Sequence, residues 1–228
     1  MIDLYTWPTP NGWKIHVMLE ECGLEYRAHA VDIGKGEQHE PEFLAISPNN
    51  RIPAIVDQDG PGGEPISVFE SGAILIYLAE KTGRFYGHDS RERTEINQWL
   101  MWQMGGVGPM LGQNHHFVKY APEQIPYAQT RYINETARLY GVADKQLGKN
   151  AYIAGADYSI ADMACYGWMS LWEGQKQDIS NFPNVARWLD ELGARPALQR
   201  GMALFREKRR NFAKVDSAQE KLFGNKAS

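Results

Sequence analysis

Hydrophobic and polar positions change their period about one third of the way along the chain. Up to residue 84, short apolar runs alternate with segments whose apolar residues recur at helical spacing. The runs predict strands at 2–5, 26–33, 52–56 and 66–69, and helices are predicted at 11–22, 41–44 and 71–81. Gly23 and Gly83 follow two of these helices, where glycine commonly ends a helix. The order βαβαββα predicts a mixed sheet with helices packed on it.

From Arg91 onward the strand pattern is absent and long helical patterns follow. They cover 92–104, 127–147, 160–172 and 185–192. The fold class predicted is therefore α/β plus all-α, with an α/β domain at 1–84, a linker near 85–90 and an all-helical domain at 91–210. Residues 211–228 are predicted to be a polar tail.

Composition and charge narrow the range of partners. The 228 residues are 43% hydrophobic and 23% charged, as in ordinary globular proteins. Because 24 basic residues face 28 acidic ones, the formal net charge is −4, which disfavours general binding to nucleic acid or to an anionic membrane. No apolar run reaches the ~18 residues of a membrane span, and no apolar leader opens the chain. We expect a cytoplasmic protein with no nucleic-acid or membrane partner.

The two cysteines, Cys22 and Cys165, are predicted to be inert. They form no Cys-x-x-Cys pair, which excludes a thioredoxin-type dithiol, and they are too few for a disulfide-stapled secreted fold. Cys22 ends the first predicted helix beside two glutamates and the negative end of the helix dipole, which raises a thiol pKa. Cys165 lies in an apolar helix, so we expect it to be reduced and buried.

The turn between the first strand and the first helix is the first candidate for chemistry. Thr9 and Asn11 stand at this turn. Backbone N–H groups at a helix start attract anions, including a thiolate, and the threonine hydroxyl and asparagine amide can donate to sulfur. The same residue types are common in a turn with a helix N-cap, so the residues alone leave both interpretations open.

Two further junctions combine turn residues with groups that can bind a ligand. Ile52–Pro53 precedes a strand, where a cis bond would present the Ile52 backbone to a ligand, although X–Pro bonds are usually trans. Glu70 and Ser71 lie where the fourth strand meets a helix. The glutamate could pair with an amino group, and the serine and the helix start could receive a carboxylate. Ser71 as an ordinary N-cap is the structural alternative.

Three other segments are assigned no chemistry. Residues 114–116 (Asn-His-His) lack a carboxylate or cysteine at ligand spacing, so no metal site is predicted. The glycine-rich segment 105–109 lacks the Lys-Ser/Thr of a phosphate loop and is predicted to be a bend between helices. Ser159 and Asp162 form a capping-box pattern, which predicts a role in folding.

Together these motifs resemble the cytosolic glutathione transferases. The resemblance extends over 1–206 and rests on the βαβαββα pattern, on two motifs within it, Arg51-Ile52-Pro53 and Glu70-Ser71, and on the later box Ser159-Ile160-Ala161-Asp162. Finer motifs at 9–12, 47–50 and 108–117 are similar to the nu class. That class comprises bacterial glutathione-dependent disulfide-bond oxidoreductases, related to a yeast nitrogen-regulating prion protein.

The resemblance implies a thioredoxin-like N-terminal domain that binds glutathione, reduced or as its disulfide, and a helical C-terminal domain. It implies that Ile52, before a cis Pro53, pairs with the cysteinyl backbone of glutathione. Glu70 and Ser71 would hold the γ-glutamyl end. No metal is implied.

Other positions match the remaining parts of the ligand. Gln38 and Arg51 match positions near the glycyl end, and Thr9 and Asn11 match the positions that face the sulfur. Arg131 matches an arginine that reaches the ligand of the partner subunit in a homodimer. Without the resemblance, Arg131 would be interpreted as a surface ion pair with Glu135, four residues later.

The implied reaction is glutathione-dependent reduction of a small disulfide by a bound glutathione thiolate. Conjugation to an electrophile, weak peroxide reduction and a non-enzymatic, regulatory glutathione-binding domain are the alternatives. Many related transferases place a catalytic Tyr, Ser or Cys beside the sulfur. Tyr5 is near in sequence, but it lies in the first predicted strand, where a structural tyrosine is expected.

Overall fold

The N-terminal part of the molecule is built on a four-stranded mixed sheet. The computed structural model describes residues 1–209, so the predicted tail at 211–228 lies outside the described residues, as does residue 210. The strands are β1 (Ile2–Thr6), β2 (Tyr26–Ala30), β3 (Ala54–Asp57) and β4 (Ile66–Phe69), in the order β2-β1-β3-β4. β1 pairs with β2 in parallel, whereas β1–β3 and β3–β4 are antiparallel.

Helices cover the sheet and form the rest of the described chain. Three of them accompany the strands, namely α1 (Pro10–Cys22), α2 (Pro41–Leu44) and α3 (Ser71–Thr82). The helical part comprises α4 (Ser90–Trp102), α5 (Gly108–His115), α6 (Pro126–Leu147), α7 (Ile160–Met169), α8 (Pro183–Gly193) and α9 (Pro196–Ala203). A thioredoxin-like domain followed by an all-α domain is therefore confirmed. None of the helices in residues 1–209 has the length and apolar character needed to cross a membrane.

Several predicted boundaries were wrong. β3 begins at Ala54 rather than at residue 52, because Pro53 has no N–H to donate to a strand ladder. The predicted bend at 105–109 is instead a continuous helical path, in which a wide turn at Gln103–Val107 joins α4 to α5. α9 was not predicted. It is a short helix that begins directly after Arg195 with Pro196 in its first turn.

Local signals at the helix ends behave as the sequence predicts. The Thr9 hydroxyl accepts the backbone N–H of Gly12 at 3.3 Å and so caps α1. Gly23 and Gly83 follow α1 and α3 with φ of 65° and 66°, the left-handed conformation that glycine adopts without steric penalty.

The capping box of α7 is complete and buried. The Asp162 carboxylate accepts the backbone N–H of Ser159 at 3.0 Å, and it also accepts Ile153 N–H and the indole N–H of Trp188, both at 2.9 Å. Burial is the largest effect on this carboxyl and raises its pKa to about 6 in spite of these donors. This geometry confirms the predicted structural role of the box, since the Asp162 carboxylate joins α7 to α8 and to the loop before α7.

One hydrophobic core runs through both parts of the described chain. It joins Leu4 and Ile15 from the sheet and α1 to Leu100 and Trp188 from the helical part. α1 packs against α3 on one side and against α7 and α9 on others. Gly12 permits the tight turn from β1 into α1, because a Cβ there would lie 2.2 Å from the Trp7 carbonyl oxygen.

Candidate functional site

A cavity of about 670 Å³ lies between the sheet domain and the helical part. This volume is within the range of small-molecule sites. It is lined by the β1–α1 turn, the loop before β3, the start of α3, the α4–α5 junction, α5 and α7. The structure brings together every predicted site residue except Arg131, namely Thr9, Asn11, Gln38, Arg51, Ile52, Pro53, Glu70 and Ser71.

At the β1–α1 turn, two side chains are held so that their hydrogens are available to the cavity. Thr9 Oγ1 accepts the Gly12 N–H, which leaves its O–H free to donate elsewhere. Asn11 Oδ1 accepts the indole N–H of Trp168 at 3.0 Å, which leaves its amide NH₂ as the unused group. The turn therefore presents two hydrogen-bond donors, which is what a thiolate requires.

Trp168 reaches Asn11 because α7 approaches α1 unusually closely. A Cβ on Gly167 would lie 2.9 Å from the Pro10 carbonyl oxygen, so only glycine fits there without a shift. Trp168 also lines the cavity. No local pattern in the sequence indicates this role, since the two hydrogen-bonded residues are 157 positions apart.

The loop before β3 forms a second wall. The Ile52–Pro53 bond is cis, as the resemblance implied. Ser47 Oγ donates to the Arg51 carbonyl at 2.8 Å and closes the loop on itself. Arg51 is exposed at the cavity, and within residues 1–209 its side chain forms no ion pair.

Gln38 faces the same cavity from a short turn between β2 and α2. Its side chain is buried at 2% exposure, and its Oε1 has no hydrogen-bond partner among the described residues. A buried amide oxygen without a partner is unfavourable, and a donor on a ligand would satisfy it.

The junction of β4 and α3 contributes the third wall. Glu70 has φ of 69°, which is rare for a residue with a side chain and is typical of strained positions at functional sites. Asn49 donates its amide to the Glu70 carboxylate at 3.1 Å. Glu70 holds the N-cap position, without a side-chain capping bond, and Ser71 is the first residue of α3, so Ser71 is not the N-cap.

A buried lysine that no sequence motif indicates lies against Ser71. Lys14, on α1, is 2% exposed, and its Nζ donates to Ser71 Oγ at 3.2 Å and to Gln103 Oε1 at 3.0 Å. No carboxylate lies within 4.0 Å of this ammonium among the described residues. Burial lowers the pKa of Lys14 to about 7, against weaker raising effects of Cys165 and Glu70.

The far side of the cavity carries His115 and Tyr120. Burial lowers the pKa of His115 to about 4, and the nearby Lys119 ammonium adds to the effect. The imidazole is therefore neutral at physiological pH and offers a hydrogen-bonding group without charge. Within residues 1–209, no group of three or more potential ligands is placed to hold a metal ion.

Two other candidate residues, Arg131 and Tyr5, lie away from the cavity lining. Arg131 is exposed on α6, and the ion pair with Glu135 expected from the residues alone is wrong, since Glu135 pairs with Arg138 at 2.7 Å. Tyr5 stacks on His29 of the neighbouring strand with ring centroids 4.6 Å apart. It serves the sheet rather than the cavity.

Neither cysteine lines the cavity. Cys165 is fully buried in α7, and burial raises the pKa of its thiol well above the ordinary value. Cys22 is half-buried at the end of α1, and burial is again the main cause of its raised pKa. In the part of the chain that the structure describes, the cavity therefore contains no thiol of the protein's own.

Comparison with family models shows which family has this fold and this cavity. The model described as "Glutathione S-transferase, N-terminal domain" matches residues 1–80, and "Glutathione S-transferase, C-terminal domain" matches residues 115–196. The chain belongs to the glutathione S-transferase family. Among curated members, the disulfide-bond oxidoreductase YfcG of Escherichia coli (strain K12) is 56% identical over 207 residues, which is 90% of this chain and 95% of YfcG.

Solved structures of the glutathione S-transferase family agree with the fold. A member from Pseudomonas fluorescens pf-5, solved with two glutathione bound, is 49% identical with a TM-score of 0.84, and the match covers 88% of this chain and 92% of that one. A glutathione transferase from Pseudomonas putida, solved with one glutathione disulfide bound per subunit, is 44% identical with a TM-score of 0.85. That match covers 89% of this chain and 91% of the Pseudomonas putida chain.

Proposed function

We propose that this member of the glutathione S-transferase family reduces small disulfides with glutathione in the cytoplasm, and that it belongs to the nu class. The observation that carries the proposal is the cavity in which the Thr9 and Asn11 donors face a space without a protein thiol. A ligand that brings its own thiol suits such a site. The name of YfcG and the glutathione or glutathione disulfide bound in related structures support the same ligand.

In the proposed complex, each wall of the cavity holds one part of glutathione. Glu70 pairs with the γ-glutamyl amino group, and Ser71 with its carboxylate. The Ile52 backbone pairs with the cysteinyl residue, whereas Gln38 and Arg51 contact the glycyl end. With these assignments, we propose 1–84 as the glutathione-binding domain and 91–210 as the helical domain, whose described residues line the same cavity.

The proposed chemistry is two successive thiol–disulfide exchanges. The bound glutathione thiolate attacks one sulfur of the substrate disulfide, forms a mixed disulfide and expels a thiolate, which takes up a proton. A second glutathione thiolate then attacks the glutathionyl sulfur and expels the other substrate thiolate. The sum is two glutathione and one disulfide giving glutathione disulfide and two thiols.

Thr9 and Asn11 act by stabilising the thiolate before attack. Their acceptor atoms are already engaged by Gly12 and Trp168, so both donors are oriented in advance. A lowering of the glutathione thiol pKa by one to two units corresponds to about 1.4–3 kcal/mol. This is within the range of two hydrogen bonds to a charged atom.

The change Thr9→Ala with Asn11→Ala tests the proposal. We expect the pKa of the bound glutathione thiol, followed by thiolate absorbance, to rise by about one unit or more. Turnover of hydroxyethyl disulfide should fall by about tenfold or more, with glutathione affinity changed only a few-fold. Thr94→Ala with Asn134→Ala is the matched control, because both residues are exposed on helices outside the cavity lining. Unchanged turnover in the first variant would mean that other groups activate the sulfur.

A second assay separates disulfide reduction from the alternatives. Steady-state rates are measured with hydroxyethyl disulfide, with a chloronitrobenzene electrophile and with a hydroperoxide. Disulfide reduction should be the fastest of the three. A faster conjugation rate would make the protein a conjugating transferase, and retention on immobilised glutathione without any turnover would make it a binding module.

We propose further that the protein is a homodimer in which Arg131 reaches the ligand bound by the partner subunit. Its support is the match of Arg131 to the arginine of the family motif and its exposed position on α6, unpaired by any described carboxylate. Arg131→Glu should weaken glutathione binding by about tenfold without lowering the melting temperature. Lys145→Glu, exposed on the same helix, is the control. A monomer by light scattering with full activity would overturn this proposal.

A further inference from the structure

The start of α3 and the buried Lys14 form an electropositive end of the cavity. The first N–H groups of α3 carry the positive end of the helix dipole, and Ser71 lies among them. The Lys14 ammonium lies 3.2 Å behind the Ser71 hydroxyl and is shielded from water. Its other nitrogen or oxygen contact among the described residues is Gln103 Oε1, a neutral acceptor.

Burying a charged ammonium in such surroundings is energetically unfavourable. Burial without an anionic partner favours the neutral amine, which is why the pKa of Lys14 is lowered to about 7. Two titratable groups on neighbouring elements face it, Glu70 at the end of β4 and Cys165 on α7, and both favour the charged form only weakly. An anion placed at Ser71 would supply the missing counter-charge.

A second observation points to a polar ligand at this end. Gln103 is fully buried, its Nε2 has no hydrogen-bond partner among the described residues, and the residue lines the cavity beside Ser71. Ser71 Oγ accepts from Lys14, and within residues 1–209 its own proton has only the weak acceptor Met104 Sδ, at 3.7 Å. That proton is therefore available to a carboxylate.

We propose that Lys14 is a positioning residue that supplies the counter-charge for the γ-glutamyl carboxylate through Ser71, so that ligand binding draws a proton onto its amine. The inference rests on the proposed function, since it names glutathione as the ligand. In the free protein near pH 7, Lys14 is a mixture of amine and ammonium. When the carboxylate arrives, the amine takes a proton from solvent and becomes the ammonium, and no other bond changes.

The sign of the pH dependence follows from this linkage. Below pH 7 Lys14 is charged before binding, so affinity is greatest there. As pH rises above 7, binding must first protonate the amine, and affinity falls by up to about tenfold per pH unit until the pKa of the complex is reached.

Isothermal titration calorimetry with S-methylglutathione tests the inference, because this ligand has no thiol to release a proton. Binding enthalpies in phosphate and in Tris at pH 7 give the number of protons exchanged. We expect an uptake of about half a proton by the wild-type protein at pH 7 and more at pH 8. The same peptide with its γ-glutamyl carboxylate amidated should bind weakly and without uptake.

Lys14→Met removes the charge while keeping the length of the side chain. Its proton uptake should vanish, its affinity should not vary between pH 6.5 and 8.5, and its Kd at pH 6.5 should be about tenfold to a hundredfold higher. The KM for glutathione should rise with kcat within a few-fold, because the reacting sulfur is on the central cysteinyl residue and not on the γ-glutamyl group that Lys14 helps to bind. Lys145→Met, an exposed lysine on α6, should behave as wild type.

The possible outcomes separate the role of Lys14 from the proposed function. Normal disulfide turnover with no proton uptake by the wild-type protein, or the same uptake in Lys14→Met, would overturn the role of Lys14 and leave the proposed function standing. A wild-type protein that does not bind S-methylglutathione at all would overturn both. The wild-type measurement and the amidated peptide keep the test decisive even where Lys14→Met fails to fold.

Discussion

Replacing both cysteines tests whether glutathione supplies the only thiol that takes part in the disulfide exchange. The change is Cys22→Ser with Cys165→Ala, the alanine being chosen because a serine would bury a hydroxyl in the core of α7. Loss of the Cys165 sulfur should lower the free energy of unfolding by about 1 kcal/mol, the scale of one buried methylene. The protein should therefore remain folded.

The thiolate population decides the expected activity. The ordinary thiol pKa of 9.0 would leave about 1% thiolate at pH 7, and burial raises the pKa of Cys22 above that value. Cys165 is fully buried, and its thiol pKa is raised much further. Since neither thiol lines the cavity, disulfide reductase activity should stay within about twofold of wild type.

The assay follows NADPH consumption as glutathione reductase recycles the disulfide formed from hydroxyethyl disulfide. Circular dichroism and urea unfolding establish that the variant is folded. The Thr9→Ala, Asn11→Ala variant serves as the low-activity reference. A loss of about a hundredfold in a folded cysteine-free variant, which is the scale of losing a catalytic group, would refute the glutathione-only mechanism.

Three further predictions follow from single contacts. Trp168→Phe removes the donor that orients Asn11, so kcat/KM should fall about fivefold, with little further loss when Asn11 is already alanine, as a double-mutant cycle measures. Asp162→Asn sets an amide against the buried donors of the capping box and should lower the free energy of unfolding by about 2–4 kcal/mol in urea titrations. The pKa of Lys14 is lowered to about 7 by folding from 10.5, so the unfolded chain binds more protons between these values and stability rises with pH. Relative to Lys14→Met, the wild-type free energy of unfolding should increase by about 2 kcal/mol from pH 7 to 9, and a constant difference would contradict the assignment.

The sheet and most of the helices could be predicted because their signals are local. Alternating apolar runs gave the four strands, and the glycines after α1 and α3 marked their ends through a conformation that other residues avoid. The capping box could also be predicted from the sequence, since Ser159 and Asp162 are only three residues apart. Boundaries failed where a longer-range effect decided, as at 105–109, where glycines that suggested a bend remain inside a helical path.

The site was less accessible from the residues alone. Turns and strand–helix junctions singled out most of the cavity residues, including Thr9 and Ser71, but left their roles open. Gln38 and Arg51 came only from the resemblance to a family, because no spacing singles them out. From its residue type, Lys14 would be expected to face solvent on a helix. Only the fold shows that α3 and the α4–α5 junction cover it. Its partner Gln103 follows 89 positions later, and no local pattern connects two such residues.

These distant partners explain why the cavity needs both parts of the chain. Residues 1–84 contain every proposed glutathione contact except Arg131, yet the indole that fixes the Asn11 amide comes from α7, and the amide oxygen that holds Lys14 comes from the α4–α5 junction. Orientation of a donor before the ligand arrives is what makes it effective, because its ordering entropy is then lost on folding rather than on binding. In the proposed site, the sheet domain thus provides most of the groups that contact glutathione, whereas the helical part holds the Asn11 and Lys14 side chains in place.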